Sequence, residues 1–123
     1  MPLTIIGIGL ADARDITVKG LDAVKKADLV YLEKYTSVLQ ISTSDLEEFY
    51  GKKIIEADRN FVETNVKVMI EEAKEKEVVF LVVGDPFCAT THSDLYLRCV
   101  KEGVRVNIIH NASIVSAVAG CGL

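Results

Sequence analysis

The stretch VVFLVVGDPFCATTHSD, residues 78–94, decides the fold. It begins with six consecutive apolar residues and then breaks at Gly84-Asp85-Pro86. A short apolar run bounded by glycine and proline is typical of a strand buried on both faces. Thr91, followed three residues later by Asp94, predicts the start of a helix. Because ligands bind outside the carboxyl ends of strands in open α/β sheets, we expect one wall of a binding site at this loop.

Outward from this strand, the sequence alternates between apolar runs and amphipathic segments. Further strands are predicted at Leu3–Gly9, Asp28–Leu32, Lys53–Ala57 and Val104–Ile109. Helices are predicted at Thr17–Ala27, Asp45–Tyr50, Phe61–Lys76, Asp94–Gly103 and Ile114–Ala119. This order predicts an α/β domain with a five-stranded, mostly parallel sheet, helices on both faces and right-handed crossovers.

Two of these helices carry specific local predictions. Apolar residues at three-residue spacing predict that one face of the first helix is buried, and they are Val18, Leu21, Val24 and Ala27. In the second helix, Ser44 and Glu47 have the spacing of a capping box, and Gly51 is placed to end the helix.

Composition restricts the function. The chain has 123 residues, which suits one domain, and no apolar run approaches the ~20 residues of a membrane span. The formal net charge of −4 and the lack of a basic cluster argue against nucleic-acid binding. No signal peptide, CxxC pair or Cys/His cluster is present, so we expect a cytoplasmic protein without a metal site.

The segment Gly7-Ile8-Gly9-Leu10-Ala11-Asp12 resembles a dinucleotide fingerprint only in part. Asp12 replaces the third glycine, and Asp15 adds a second carboxylate where an anionic pyrophosphate would lie. A ligand without phosphates, approaching the backbone at the glycines, fits the sequence better.

Polar residues that follow the strands are the other candidates. Asp85 would either contact a ligand or accept N–H bonds within its own loop. His92 and His110 could face one cleft, although turn hydrogen bonds explain each of them as well. Cys88 could be a reactive thiol, but no basic neighbour in the sequence would lower its pKa. Ser113 could complete a Ser/His/Asp set with His92 and Asp85, but it lacks the context of a nucleophile elbow.

A group of motifs resembles a known family closely. In chain order they are residues 6–10 (IGIGL), 15–21 (DITVKGL), 31–33 (YLE), 35–37 (YTS), 84–87 (GDPF), 89–94 (ATTHSD) and 110–114 (HNASI). They are similar to the diphthine synthases, which are class III, tetrapyrrole-methylase-like, S-adenosylmethionine-dependent methyltransferases. The resemblance covers nearly the whole chain.

The resemblance implies that residues 1–123 form an amino-terminal cofactor-binding domain, and that the natural protein is about twice as long. The last helix is expected to carry apolar residues with little chain left to cover them, so either the natural protein continues beyond Leu123 or this surface meets a partner. The missing carboxyl-terminal domain would supply the other wall of a cleft for S-adenosylmethionine. The implied cofactor contacts in this chain are Leu10, Asp85, Cys88, Ser113 and Ile114. Cys88 departs from the family pattern, in which glycine is usual.

The implied reaction is methylation of the aminocarboxypropyl-modified histidine of translation elongation factor 2, in diphthamide biosynthesis. Eukaryotic members are expected to methylate the carboxylate of this group as well as its amine. The resemblance also implies a cytoplasmic homodimer, and no catalytic residue is assigned. The alternatives are a non-catalytic domain that binds a small ligand or a partner, and a related methylase acting on a tetrapyrrole.

Overall fold

A computed structural model describes residues 2–33, 42–58, 61, 66–87 and 93–122. The strands are β1 (Leu3–Gly7), β2 (Leu29–Glu33), β3 (Ile55–Ala57), β4 (Val78–Val82) and β5 (Val106–Ile109). The helices are α1 (Val18–Lys26), α2 (Thr43–Tyr50), α3 (Val66–Glu75), α4 (Ser93–Lys101) and α5 (Ile114–Ala117). Two 3-10 turns are present at Ala13–Asp15 and Val118–Cys121.

The five strands form one parallel sheet in the order β3-β2-β4-β1-β5. In the register, Leu3 of β1 lies between Val78 of β4 and Val106 of β5. The predicted fold class is therefore confirmed, and the strand boundaries differ from prediction by no more than two residues.

Strand β4 is central, and all of its residues are buried. Its side chains alternate between two cores, as the pleat of a strand requires. Val78, Phe80 and Val82 pack with α3 and α4 on one face. Val79 and Leu81 pack with α1 and α2 on the other. The helices therefore cover both faces of the sheet, which explains why β4 is an unbroken apolar run.

Helix α1 begins as predicted, because the Thr17 side chain accepts a hydrogen bond from the N–H of Gly20. The predicted capping box of α2 is wrong. Ser42 caps this helix by accepting from the N–H of Asp45, and Glu47 instead accepts from the N–H of Ile54. Gly51 ends α2 in the left-handed conformation, as predicted.

The predicted buried face of α1 is wrong at one position, because Val18 is 77% exposed. The helix contacts the sheet through Gly20 and Val24 instead. A Cβ on Gly20 would lie 3.0 Å from the Cγ2 of Ile6, so the glycine allows the helix to pack close to β1.

Helix α5 is shorter than predicted, since α-helical geometry ends at Ala117 and a 3-10 turn follows. Val115 and Val118 in this region are 59% and 48% exposed. Along the described residues, no helix has the length and apolar character required to cross a membrane.

Candidate functional site

The connections that leave β1 and β4 define the site. These strands are neighbours, yet α1 carries the chain from β1 across β4 to β2, whereas α4 carries it from β4 across β1 to β5. The two helices lie on opposite faces of the sheet, so the loops after β1 and β4 diverge. A divergence of this kind opens a crevice at the carboxyl edge, where open α/β sheets bind ligands.

Glycines hold the floor of this crevice together. The N–H of Gly84 donates to the carbonyl of Gly9 at 2.8 Å, and the N–H of Gly9 donates back at 3.3 Å. Gly9 and Gly84 have positive φ values, 79° and 75° respectively, which glycine adopts without strain. At Gly7 a Cβ would lie 2.4 Å from the Gly84 carbonyl oxygen, so a side chain there would push the two loops apart.

Asp85 joins the loop after β4 to the loop after β5. Its Oδ1 accepts from the N–H of Asn111 at 2.9 Å and lies 2.8 Å from the Nδ1 of His110. Its Oδ2 accepts from the N–H of Phe87 at 3.0 Å. Asp85 is 3% exposed, and burial by itself would raise the pKa of its carboxyl group. The hydrogen bonds from Asn111, Phe87 and His110 outweigh burial and hold this pKa below its ordinary value.

Asn111 connects three parts of the chain. Its side-chain amide donates to the carbonyl of Gly7 at 3.0 Å and to the carbonyl of Asp15 at 2.9 Å. Its backbone N–H donates to Asp85. One residue therefore fixes the loops after β1, β4 and β5 relative to one another, and sequence reasoning did not identify it. The available signal was its position directly after a strand, the same rule that selected Asp85.

The other predicted contacts fall in this region where the structure describes them. Measured from a Cβ built on Gly84, the Cα of Ser113 is 3.6 Å away and the Cδ2 of Leu10 is 3.8 Å away. Leu10 and Ser113 therefore lie beside the same glycine, one residue before Asp85. Ile114 begins α5 immediately after Ser113, whereas Cys88 lies outside the described residues.

In the turn after β1, two carboxylates accept hydrogen bonds from backbone N–H groups of the same turn. Asp15 Oδ2 accepts from the N–H groups of Ala11 and Asp12, at 2.7 and 3.2 Å. Asp12 Oδ1 accepts from the N–H of Arg14 at 2.8 Å. These are the N–H groups that a pyrophosphate would need, and two negative charges stand among them. The turn therefore disfavours a bound phosphate and favours a neutral or cationic group.

Ser113 does not have the arrangement of a nucleophile. It is 3% exposed, its Oγ accepts from the N–H of Val115 at 3.1 Å, and its carbonyl accepts from the Ser116 hydroxyl at 3.0 Å. These bonds place Ser113 at the start of α5, as the residue that caps it. The third member of the hypothetical Ser/His/Asp set, His92, lies outside the described residues.

Cavities elsewhere do not coincide with this edge. A groove of about 740 Å³ runs beside α1 and over β1 and β5 at the amino-terminal half of the sheet, where Thr4, Lys19, Arg105 and Asn107 are among its lining residues. We place the candidate site at the carboxyl edge because the polar network and the diverging loops are there.

A doubly wound parallel sheet with glycine-rich loops at its carboxyl edge is typical of domains that bind small ligands. Comparison with known proteins identifies the class: the family model for Tetrapyrrole (Corrin/Porphyrin) Methylases matches residues 2–122. The chain belongs to this family.

Individual relatives indicate a narrower group of proteins within this family. The chain is 56% identical over 121 residues to diphthine methyl ester synthase of Homo sapiens, covering 98% of this chain and 42% of that protein. Against the enzyme of the same name from Saccharomyces cerevisiae it is 56% identical over 122 residues, covering 98% and 41%. A crystal structure of diphthine synthase superposes with a TM-score of 0.94 at 52% identity, covering 98% of this chain and 48% of that one. The chain therefore spans less than half the length of these relatives.

Proposed function

We propose that this chain is the cofactor-binding amino-terminal half of an S-adenosylmethionine-dependent methyltransferase. In this proposal the methyltransferase modifies the aminocarboxypropyl-substituted histidine of translation elongation factor 2. The observation that carries the proposal is the identity of 56% to diphthine methyl ester synthase, which extends over 98% of the chain. Similarity at this level favours the same acceptor over a tetrapyrrole.

The residues at the carboxyl edge fit this cofactor. S-adenosylmethionine has a sulfonium cation and no phosphate, so the carboxylates of Asp12 and Asp15 do not oppose it. The glycines allow close approach to the backbone, and Leu10 offers an apolar surface beside Gly84. We assign the contacts in this half to Leu10, Cys88, Ser113, Ile114 and the backbone at Asp85, whose carboxylate is engaged by protein donors. When bound, the cofactor supplies an electrophilic methyl group.

The contribution of this chain to the reaction is positioning. Asp85 and Asn111 fix the loops that would hold the cofactor, so little reorganisation is needed when the acceptor arrives. Alignment of two bound reactants can provide about 7–11 kcal/mol of a barrier without a nucleophile or a metal ion. A second domain closing over this wall would exclude water from the reacting groups.

The remaining features of the proposal concern the whole protein. We propose that it works in the cytoplasm, where its translation-factor substrate is found, and that it forms a homodimer. The second wall of the cleft would come from a carboxyl-terminal domain, in the part of the longer relatives that this chain does not cover.

Calorimetry on the full-length protein tests the cofactor assignment. We expect S-adenosylmethionine to bind, and ATP and NAD not to bind, because the turn after β1 excludes phosphate. Leu10→Ala should weaken binding about tenfold, since roughly 60 Å² of apolar contact would be lost at about 25 cal/mol per Å². The matched control is Val18→Ala, which removes an exposed apolar side chain on α1. Equal affinities of the Leu10 and Val18 variants would contradict the site.

Mass spectrometry of the acceptor tests the reaction. Full-length protein and cofactor should increase the mass of elongation factor 2 that carries the aminocarboxypropyl group by one or more methyl groups. Unmodified elongation factor 2 is the control and should keep its mass. An unchanged mass of the modified factor, with cofactor bound, would favour a non-catalytic domain instead.

A further inference from the structure

The side chain of His110 has a defined orientation at the carboxyl edge. Its Nδ1 lies 2.8 Å from Oδ1 of Asp85, whose side chain is 4% exposed, whereas the His110 side chain is 66% exposed. The ring of Phe87 meets the imidazole at 62° with centroids 6.3 Å apart. One side of the imidazole is therefore held against a buried acid while the rest of the ring is exposed at the carboxyl edge of the sheet.

This contact determines which ring nitrogen carries the proton. An ionised carboxylate can only accept hydrogen bonds, so the Nδ1 of His110 must donate. In the neutral imidazole the lone pair then lies on Nε2, the nitrogen on the far side of the ring from Asp85. The Asp85 carboxylate also accepts from Asn111 and Phe87, which fixes it and keeps it ionised.

We propose that Nε2 of His110 accepts the proton that the acceptor amine must lose before it is methylated. This inference rests on the proposed function. An alkylammonium group has no lone pair, and amines of this type are protonated at neutral pH, with pKa values about 10. The ammonium transfers one proton to Nε2. The nitrogen lone pair that this frees attacks the methyl carbon while the carbon–sulfur bond breaks, leaving a neutral thioether and a methylated ammonium.

The surroundings of His110 are consistent with this role. In the described part of the chain, the charged group that contacts His110 is Asp85, from the loop after β4, and the same loop contributes the uncharged ring of Phe87. Behind Phe87 lies Tyr96 of α4, with centroids 6.2 Å apart. An acid hydrogen-bonded to histidine in this way holds the imidazole in one tautomer and one orientation, as in other enzymes.

The proposal separates the two acceptor atoms of one substrate. Methylation of the amine needs a proton acceptor, but methylation of the carboxylate does not, because the carboxylate is already ionised. Loss of Nε2 should therefore slow transfer to nitrogen and leave transfer to oxygen unchanged. A histidine that only held the Asp85 loop in place would affect both transfers equally.

The test uses His110→Asn in the full-length protein. The Asn side-chain amide can still donate to Asp85 but has no group at the position of Nε2, so it isolates the proton acceptor from the structural contact. We expect S-adenosylhomocysteine affinity within about twofold of wild type, and kcat for amine methylation lowered about 100-fold or more. The deficit should shrink by about tenfold per pH unit as free amine forms in solution. On an acceptor whose amine is already quaternary, carboxylate methylation should keep its wild-type rate.

Nitrogen-15 NMR of the wild-type protein provides a measurement that is independent of turnover. It should show a neutral His110 imidazole with its proton on Nδ1 and none on Nε2. A proton on Nε2, an unchanged rate of amine methylation in His110→Asn, or equal loss of amine and carboxylate methylation would each overturn the inference. Wild-type protein that neither binds the cofactor nor transfers methyl groups would instead overturn the proposed function.

Discussion

Replacing Asp85 by asparagine tests the network that holds the site together. The substitution keeps the size and shape of the side chain, so no cavity is created, but it removes the charge and one of the two acceptor oxygens. Among the described residues, three donors use those oxygens: the N–H groups of Asn111 and Phe87, and Nδ1 of His110. After the substitution, at least one of them must face an amide N–H₂ group.

The expected cost follows from these contacts. In the better arrangement, the remaining oxygen of the asparagine serves Asn111 and His110, and its N–H₂ group opposes the N–H of Phe87. A hydrogen bond to a charged group contributes about 1.5–3 kcal/mol, and an unsatisfied buried donor costs about 1–3 kcal/mol. Because one bond is lost and the others become neutral, Asp85→Asn should lower the free energy of unfolding by about 2–4 kcal/mol.

Urea denaturation, followed by far-UV circular dichroism, measures this cost. The control is Asp22→Asn, which removes a carboxylate from the exposed surface of α1 and should change stability by less than about 0.5 kcal/mol. The slope of unfolding free energy against urea should stay the same in both variants. If the Asp85 and Asp22 variants were equally stable, the hydrogen bonds to the Asp85 carboxylate would not stabilise the fold.

The pH dependence has a definite sign. Burial acts to raise the pKa of Asp85, but the hydrogen bonds from Asn111, Phe87 and His110 leave it below its ordinary value in the folded protein. Stability from this carboxylate is therefore complete above the unfolded pKa, about 3.9, and is lost as pH falls through the folded pKa. The difference between wild type and Asp85→Asn should be constant from about pH 5 to 7 and shrink below about pH 4. A difference that grew on acidification would contradict the assignment.

Two further predictions concern glycine contacts and cysteine reactivity. Gly7→Ala would bring a Cβ to 2.4 Å from the Gly84 carbonyl oxygen and should cost about 1–3 kcal/mol in urea denaturation. Gly120→Ala, where no described atom lies within 4 Å of the new Cβ, should stay within about 0.5 kcal/mol; similar costs at both glycines would refute the close loop approach. Burial raises the pKa of Cys99 to about 11. At about pH 8, Cys99 should therefore react with iodoacetamide at least ~100-fold more slowly than the exposed Cys121. Peptide mass spectrometry measures the labelling of each cysteine, and equal labelling would contradict this prediction.

The location of the site could be predicted from the sequence, because the signals that mark it are local. Six apolar residues followed by Gly-Asp-Pro specify a buried strand and its end, and the carboxyl-edge rule places a ligand there. The partners of Asp85 could not be predicted from the residues. Asn111 and His110 are 26 and 25 positions away in the chain, and only the pairing of β1 with both β4 and β5 brings them together.

The errors in the local predictions have similar causes. Ser42 and Ser44 both precede the acidic segment of α2, and Ser44 has the better spacing to a glutamate. Glu47 does not form a capping box with Ser44, because its side chain accepts a hydrogen bond from the N–H of Ile54 in the connection to β3. Val18 was expected to face the core because it continues an apolar series. Val18 is exposed because α1 packs on the sheet through Gly20, which lies close to Ile6. A hydrophobic pattern does not predict this contact, because glycine has no side chain.

The geometry of Asp85 changes how its role in binding should be understood. The sequence left open whether its carboxylate contacts a ligand or accepts bonds from its own loop, and the structure shows both oxygens bonded to protein donors. A cofactor would then meet this loop through the backbone around Gly84 and through Leu10, while the carboxylate keeps the loop in place. Asp85 would thus affect affinity indirectly, in proportion to how far the loop moves, and Leu10 directly. Comparing cofactor affinity with unfolding free energy for the two residues separates these roles: Asp85 variants should lose both together, whereas Leu10→Ala should lose affinity with little change in stability.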